Sequence, residues 1–150
     1  MEKTAAALGN TGVLPLLLAA VGIWLFDASA VEWMLHFFRV WSAVLLTFLG
    51  ALWWGILLAN PGNTAERRQG GMLVMGAMPA VAAAISLLMP PPGGLLVAAG
   101  GFVLFRWLEK IPSHRDLYPS WFDPLRARLS WMVVVCHVSM ITWVVNGQHA

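Results

Sequence analysis

Long apolar runs separated by short polar segments dominate the chain, and the length of these runs decides the predicted fold. A helix that crosses a bilayer needs about 20 predominantly apolar residues. No alternation of apolar and polar residues, which would be typical of a strand, competes with the runs. The predicted spans are residues 5–26, 40–59, 72–89, 95–108 and 129–145. The sequence therefore predicts an all-α integral membrane bundle of five transmembrane helices, with residues 1–150 forming a single domain.

The third and fourth spans are predicted to form a short hairpin. Residues 90–94 read Pro-Pro-Pro-Gly-Gly, and we expect a turn there because consecutive prolines cannot continue a helix. The fourth run would cover only about 21 Å at ~1.5 Å per residue, less than the ~30 Å of a hydrocarbon core. Two full but short spans are favoured over a re-entrant hairpin that enters and leaves by one surface.

Composition supports a membrane protein rather than a soluble one. The chain is 59% hydrophobic and 11% charged, whereas a soluble domain carries roughly 25% charged residues. Too little polar surface is present to cover a globule in water. The net charge is only +2, and the basic residues lie between apolar runs, which argues against nucleic-acid binding.

The distribution of the basic residues predicts the orientation. If five helices cross in turn, the N-terminus, the loop 62–71 and the segment 106–128 lie on one side. That side holds eight of the nine Lys and Arg residues, and the other side holds only Arg39. Basic loops remain cytoplasmic. We therefore expect a bacterial inner-membrane protein with a cytoplasmic N-terminus and a periplasmic C-terminus.

Small residues recur at every fourth position in the second and third spans. This spacing lets two helix backbones approach closely in lipid. Packing within the bundle is the favoured interpretation, and contact with another membrane protein or a second copy is the alternative. The residues are Ala43, Thr47, Ala51, Gly55 and Ala59 in the second span, and Gly76, Ala80 and Ala84 in the third.

His137 lies near the middle of the fifth span, and an ionisable residue inside the membrane is a functional candidate by default. The favoured interpretation is a neutral histidine that is hydrogen-bonded to Ser86, Thr47 or a backbone carbonyl. In the alternative, His137 contacts a lipophilic ligand (a quinone, a porphyrin or a lipid) together with Trp53 and Trp54. Those two tryptophans lie deeper than the others, which fall near the predicted membrane boundaries.

Two polar segments offer further candidates. Glu32, His36 and Arg39 are spaced to share one helical face, and we expect an interfacial salt-bridge cap there. A metal site is not expected, because a closed zinc site needs four ligands. The segment 113–128 is predicted to anchor at the headgroups, with a docking surface for a partner as the alternative. Its candidate contact residues are Asp116, Tyr118, Trp121 and Arg126.

The segments FLGALWWG at 48–55 and RDLYPSWFDPLRARLS at 115–130 resemble a family of small bacterial and mitochondrial membrane proteins. The family is known as domain of unknown function 3429 and is related to eukaryotic transmembrane protein 69. Trp53 stands where the resemblance implies a histidine, which favours a packing role for that position. Because the family has no assigned activity, the resemblance implies an architecture and no chemistry. The matching residues are Gly50, Trp54, Gly55, Asp116, Pro119, Trp121, Leu125, Arg126 and Leu129.

No phosphate loop, pair of catalytic carboxylates, nucleophile elbow or Cys-x-x-Cys motif occurs in the sequence. We therefore expect a non-catalytic membrane protein without a cofactor. Its expected role is to bind other membrane proteins and assist their assembly or stability. Binding of a lipophilic ligand is the alternative. A small transporter is disfavoured, because the spans offer few polar residues to line a path.

Overall fold

The computed structural model describes residues 2–59, 66–110 and 119–147, including side chains except those of residues 28, 29 and 66–69. Within these residues the chain forms five α-helices and no strand, which confirms the predicted fold class. All five helices are long and apolar enough to cross a membrane. They are α1 (Glu2–Gly22), α2 (Ala28–Ala59), α3 (Glu66–Leu88), α4 (Pro91–Glu109) and α5 (Phe122–Gly147).

The helices form a closed ring. Each helix packs against the next along the chain, α5 returns to pack beside α1, and α2 also contacts α4 across the middle. Gly9 of α1 lies against Leu129 near the start of α5, and Ala20 accepts a hydrogen bond from Ser139 farther along. Helices α1 and α5 therefore run parallel. Below, the first end of the bundle is the end at which α1 begins, and the second end is the opposite one.

The bundle is apolar both inside and outside. Phe38, Leu46 and Met140 are fully buried between the helices. Large apolar side chains such as Leu18 and Trp131 also cover the outer surface, where more than 60% of each is exposed. A surface of this kind is compatible with hydrocarbon rather than water. Together with the five spans, it indicates a multi-pass membrane protein.

Helix α2 is longer than the predicted span 40–59. It begins at Ala28, where the carbonyl oxygen of Asp27 accepts the first-turn N–H groups of Ala30 and Val31. With 32 residues, α2 is about 48 Å long. The residues that precede the predicted span, including Glu32 and His36, are therefore part of one continuous helix. As a consequence, Arg39 lies within α2, at the level where α3 ends.

The connection between α3 and α4 is tighter than the sequence predicted. Pro90 caps α4 with φ −53° and ψ 153°, and Pro91 and Pro92 are its first helical residues. Proline is tolerated there because its missing N–H would have no helical partner. The prediction of a turn is therefore wrong for residues 91–94. Helix α4 gains a turn and has 19 residues, about 28 Å, which is enough for a full span.

Candidate functional site

A buried polar pair joins α2 to α5 in the middle of the bundle. The Nε2 atom of His137 lies 2.7 Å from the Oγ atom of Ser42, and Nδ1 lies 2.8 Å from the carbonyl oxygen of Val133. Because a carbonyl only accepts, Nδ1 carries the hydrogen and donates it. The neutral ring then has its lone pair on Nε2, and this atom accepts a hydrogen bond from the Ser42 hydroxyl. This tautomer follows from the hydrogen-bond network.

Aromatic rings enclose the imidazole. The Phe38 ring meets it edge-on with centroids 4.9 Å apart, and the Phe102 ring of α4 lies at 5.5 Å. His137 has no exposed surface, and both of its nitrogens are hydrogen-bonded within the chain. A ligand could reach either nitrogen only by displacing a protein group.

The predicted carbonyl partner of His137 is confirmed, but the hydroxyl partner is Ser42 rather than Ser86 or Thr47. Those two hydroxyls bond instead to carbonyl oxygens of their own helices, at 2.7 Å and 2.9 Å. Such backbone bonds are a common alternative for Ser and Thr inside helices. Ser42 lies within the predicted span 40–59, but its depth relative to His137 depends on how α2 and α5 pack.

A hydroxyl hydrogen-bonded to an oriented imidazole is also the arrangement of a nucleophile and its general base. Here Ser42 and His137 are both fully buried. Ser42 lies inside α2, where the backbone N–H groups are used by the helix and none is free to stabilise an oxyanion. The arrangement is therefore suited to hold α2 and α5 together.

Replacing Ser42 with alanine is expected to destabilise the bundle by about 1–2 kcal/mol, because it leaves the buried Nε2 acceptor without a donor. The matched control is Thr142→Ala, since Thr142 is exposed and its hydroxyl donates to the carbonyl oxygen of Val138 in its own helix. Unfolding by dodecyl sulfate titration from maltoside micelles measures both. Equal stabilities of the two variants would show that the Ser42 bond contributes little.

The adjacent tryptophans Trp53 and Trp54 point to different neighbours. Trp53 is buried against Phe105 of α4, with ring centroids 5.3 Å apart. Trp54 extends to α3, where its Nε1 donates to the carbonyl oxygen of Leu73 at 2.9 Å. Both rings serve contacts between helices.

Helices α2 and α3 approach most closely at two glycines. A Cβ atom at Gly50 would overlap the carbonyl oxygen of Gly76, and a Cβ atom at Gly76 would lie 2.6 Å from Cδ1 of Trp54. The contact thus requires glycine on both helices. Gly76 was predicted as a packing residue, whereas Gly50 lies one position away from the predicted small-residue series and was missed.

Some members of the predicted small-residue series face the inside of the bundle, and the others face the outside. Ala43 and Gly76 are buried, so packing within the bundle applies to them. A Cβ atom at Gly55 would have no neighbour within 4 Å among the described residues outside the adjoining backbone of α2. The remaining members are exposed and face away from the bundle: Thr47, Ala51, Gly55, Ala59, Ala80 and Ala84.

A network of four charged side chains joins α4 to α5 at the first end. Arg126 donates to Glu109 at 2.7 Å, and both side chains are over 90% buried. Arg106 binds Asp123 at 2.6 Å and lies 3.6 Å from the second oxygen of Glu109. The two positive and two negative charges compensate each other. The network occupies the last turn of α4 and the first turns of α5.

Arg126 was predicted to belong to a partner-contact surface, but its guanidinium is buried in the ion pair with Glu109 inside the bundle. Glu109 was missed, although an acidic residue that closes an apolar run is a signal for such a pair. Trp121 is half-buried and packs edge-on against Phe122, with ring centroids 5.9 Å apart. Asp116 and Tyr118 lie outside the described residues.

Arg39 caps the C-terminus of α3. Its Nη2 atom donates to the carbonyl oxygens of Ser86, Leu87 and Met89 at 2.9, 3.1 and 2.6 Å. The last carbonyls of a helix lack helical partners and carry its negative dipole end, so they attract a cation. The predicted salt-bridge cap with Glu32 is wrong, since Arg39 has no ion pair with any carboxylate in the described ranges.

Comparison with known families agrees with this architecture. The family model described as "Protein of unknown function (DUF3429)" matches residues 1–142. The chain belongs to this family. Searches of curated proteins and of solved structures found no significant match. The predicted family is thereby confirmed, whereas its relation to transmembrane protein 69 stays a prediction.

The segments that carry the family resemblance correspond to contacts in this DUF3429 protein. Gly50 and Trp54 form the crossing of α2 and α3, and Arg126 belongs to the buried charge network. Trp53, which stands where the resemblance implies a histidine, is buried against α4. Gly55 differs from these residues, because it faces away from the bundle.

Proposed function

We propose that this DUF3429 protein is a non-catalytic component of the bacterial inner membrane that binds another membrane protein and supports its assembly or stability. The observation that carries the proposal is the outward position of Ala51 and Gly55 on α2. Packing within the bundle does not use these small residues. In lipid, small residues at this spacing allow a further transmembrane helix to approach closely.

The surroundings of this strip support helix docking. Phe48 and Leu58 are exposed on the same helix, and their large side chains lie within one turn of Ala51 and Gly55 respectively. A strip of small residues beside large ones offers both a close backbone contact and side chains that pack around a partner helix. Because hydrophobic burial does not drive association in lipid, such packing is the main source of affinity.

The proposal is tested by placing a photo-activated cross-linking residue at Ala51 and, as the control, at the lipid-facing Val135 of α5. We expect a discrete protein adduct from Ala51 only, and we expect Gly55→Leu to abolish it without lowering the stability of the bundle. Mixing two differently tagged copies identifies adducts between copies of this chain. Lipid adducts alone at both positions would contradict the proposal.

For the orientation, we propose a cytoplasmic N-terminus and a periplasmic C-terminus. The proposal is supported by basic residues at the first end, among them Lys3, Lys110 and Arg128, and by Arg39 as the cation nearer the second end. The test labels single cysteines at Lys3 and Gly147, in a background with Cys136→Ser, using a membrane-impermeant maleimide. Labelling of both from the same side would contradict the orientation.

The alternative of a lipophilic ligand held by His137, Trp53 and Trp54 gains no support from the geometry. Both nitrogens of His137 are hydrogen-bonded, and Phe38 and Phe102 pack against its ring. A ligand would have to separate α2 from α5 before it could contact the imidazole. Partner binding requires no such rearrangement, and we therefore favour it.

A further inference from the structure

The turn between α3 and α4 is apolar, which places it at the edge of the hydrocarbon layer. Leu88 is 87% exposed, and Leu87 and Met89 beside it are also exposed. The apolar span Gly70–Leu88 and helix α4 have 19 residues each, about 28 Å, close to the ~30 Å of a hydrocarbon core. Acyl chains and the adjoining headgroups, rather than bulk water, therefore surround this turn.

Arg39 brings a positive charge to the same depth without an acidic partner. No carboxylate in the described ranges forms an ion pair with it. Glu32 lies on the same helix, but its backbone is about 10 Å farther toward the second end. The carbonyl oxygens at the end of α3 offset part of the charge. A guanidinium at a membrane boundary is stabilised further when an anion is within reach.

The structure holds this guanidinium in one place and leaves part of it available. Nη2 is fixed by the carbonyl oxygens of Ser86, Leu87 and Met89. A Cβ atom at Gly94 would lie 3.0 Å from Nη2, so glycine at that position makes room for the group. Nη1 makes no hydrogen bond within the described residues, and unlike Nε it is not sealed from the surroundings.

We propose that Arg39 binds the phosphate group of a phospholipid headgroup at the second end of the bundle. Phosphate is the anion that lipid supplies at this depth, and guanidinium matches its geometry with parallel N–H donors. The bound phosphate neutralises the charge that the α3 carbonyls leave uncompensated. Through Arg39, the lipid stabilises the junction of α2, α3 and α4.

The proposal is tested on the unaltered protein by solid-state nuclear magnetic resonance. The protein carries ¹⁵N-arginine and ¹³C-carbonyl labels and is reconstituted in phosphatidylglycerol and phosphatidylethanolamine bilayers. The Arg39 signal is assigned by its contact with the Met89 carbonyl carbon. A hydrogen bond from Nη1 to a phosphate oxygen has an N···O distance of ~2.8 Å. The phosphorus atom then lies within about 4 Å of Nη1. We therefore expect strong ³¹P dephasing of the Arg39 signal.

Arg126 is the control in the same spectrum, because its buried guanidinium binds Glu109 and is expected to show no ³¹P dephasing. A second sample, in maltoside micelles with inorganic phosphate and no phospholipid, separates the two sources of phosphate. Absence of dephasing at Arg39 in bilayers would overturn the proposal. So would equal dephasing by free phosphate in micelles, since that result would assign a phosphate site without a role for lipid.

Discussion

Replacing Glu109 with leucine is expected to destabilise the bundle by about 3–5 kcal/mol, because it leaves the buried charge of Arg126 without a carboxylate. Arg126 is over 90% buried, and Glu109 is its ion-pair partner in the structure. Arg106 is less affected, since it retains Asp123 at 2.6 Å. The measurement is the free energy of unfolding in maltoside micelles titrated with dodecyl sulfate.

The converse change, Arg126→Leu, is expected to cost less than Glu109→Leu. Glu109 would retain Arg106, which lies 3.6 Å from its second oxygen. The double variant Glu109→Leu with Arg126→Leu is expected to recover most of the loss, because apolar residues often replace a buried pair without penalty. Arg128→Leu is the control, since among the described residues Arg128 binds the neutral Asn10 alone, in an exposed position. Additive losses in the double variant would contradict a coupled pair.

The second large effect is expected at Gly50. Gly50→Ala is expected to destabilise the bundle by about 1–3 kcal/mol, a typical cost of overpacking. The new Cβ would meet the backbone carbonyl of Gly76, which cannot move without separating α2 from α3. Separation would also weaken the Trp54 hydrogen bond to Leu73. The same dodecyl sulfate titration measures the loss.

Gly55→Ala is the matched control for Gly50→Ala, with the same chemical change on the same helix. Apart from the backbone of α2 itself, no atom of the described residues lies within 4 Å of its Cβ position, so only helix propensity acts, which favours alanine over glycine by about 1 kcal/mol. We therefore expect Gly55→Ala to be neutral or stabilising. If Gly50→Ala unfolded at the same dodecyl sulfate concentration as Gly55→Ala, the close crossing of α2 and α3 would not be needed for stability.

The fold was predictable because the length of an apolar run is a property of the sequence alone. The five runs locate the five helices, and the clustering of basic residues matches the arrangement of their ends. The helix ends were less predictable. Residues 91 and 92 looked like breakers, yet proline is compatible with the first turn of a helix, so α4 begins earlier. Likewise, α2 begins at Ala28 rather than at the start of the apolar run, because polar residues such as Glu32 and His36 are compatible with a helix.

The site was less predictable, because it depends on the rotation of each helix about its axis. A repeat of small residues at every fourth position identifies a face of α2 but not what that face contacts. The face of Ala51 and Gly55 points outward, while Gly50 meets α3. The partners of His137 and Arg126 likewise depend on the depth at which distant segments pack side by side. No spacing along the chain encodes that depth.

The closure of the ring by α5 determines when the protein can finish folding during synthesis. Helix α5 is made last of the five, yet it carries the groups that Ser42 and Glu109 bind. A nascent chain with four helices in the translocon therefore has a glutamate that lacks Arg126, and an uncovered flank of α1. Interrupted translation products without α5 would thus leave bare the flanks of α1 and α4 that α5 covers in the complete bundle.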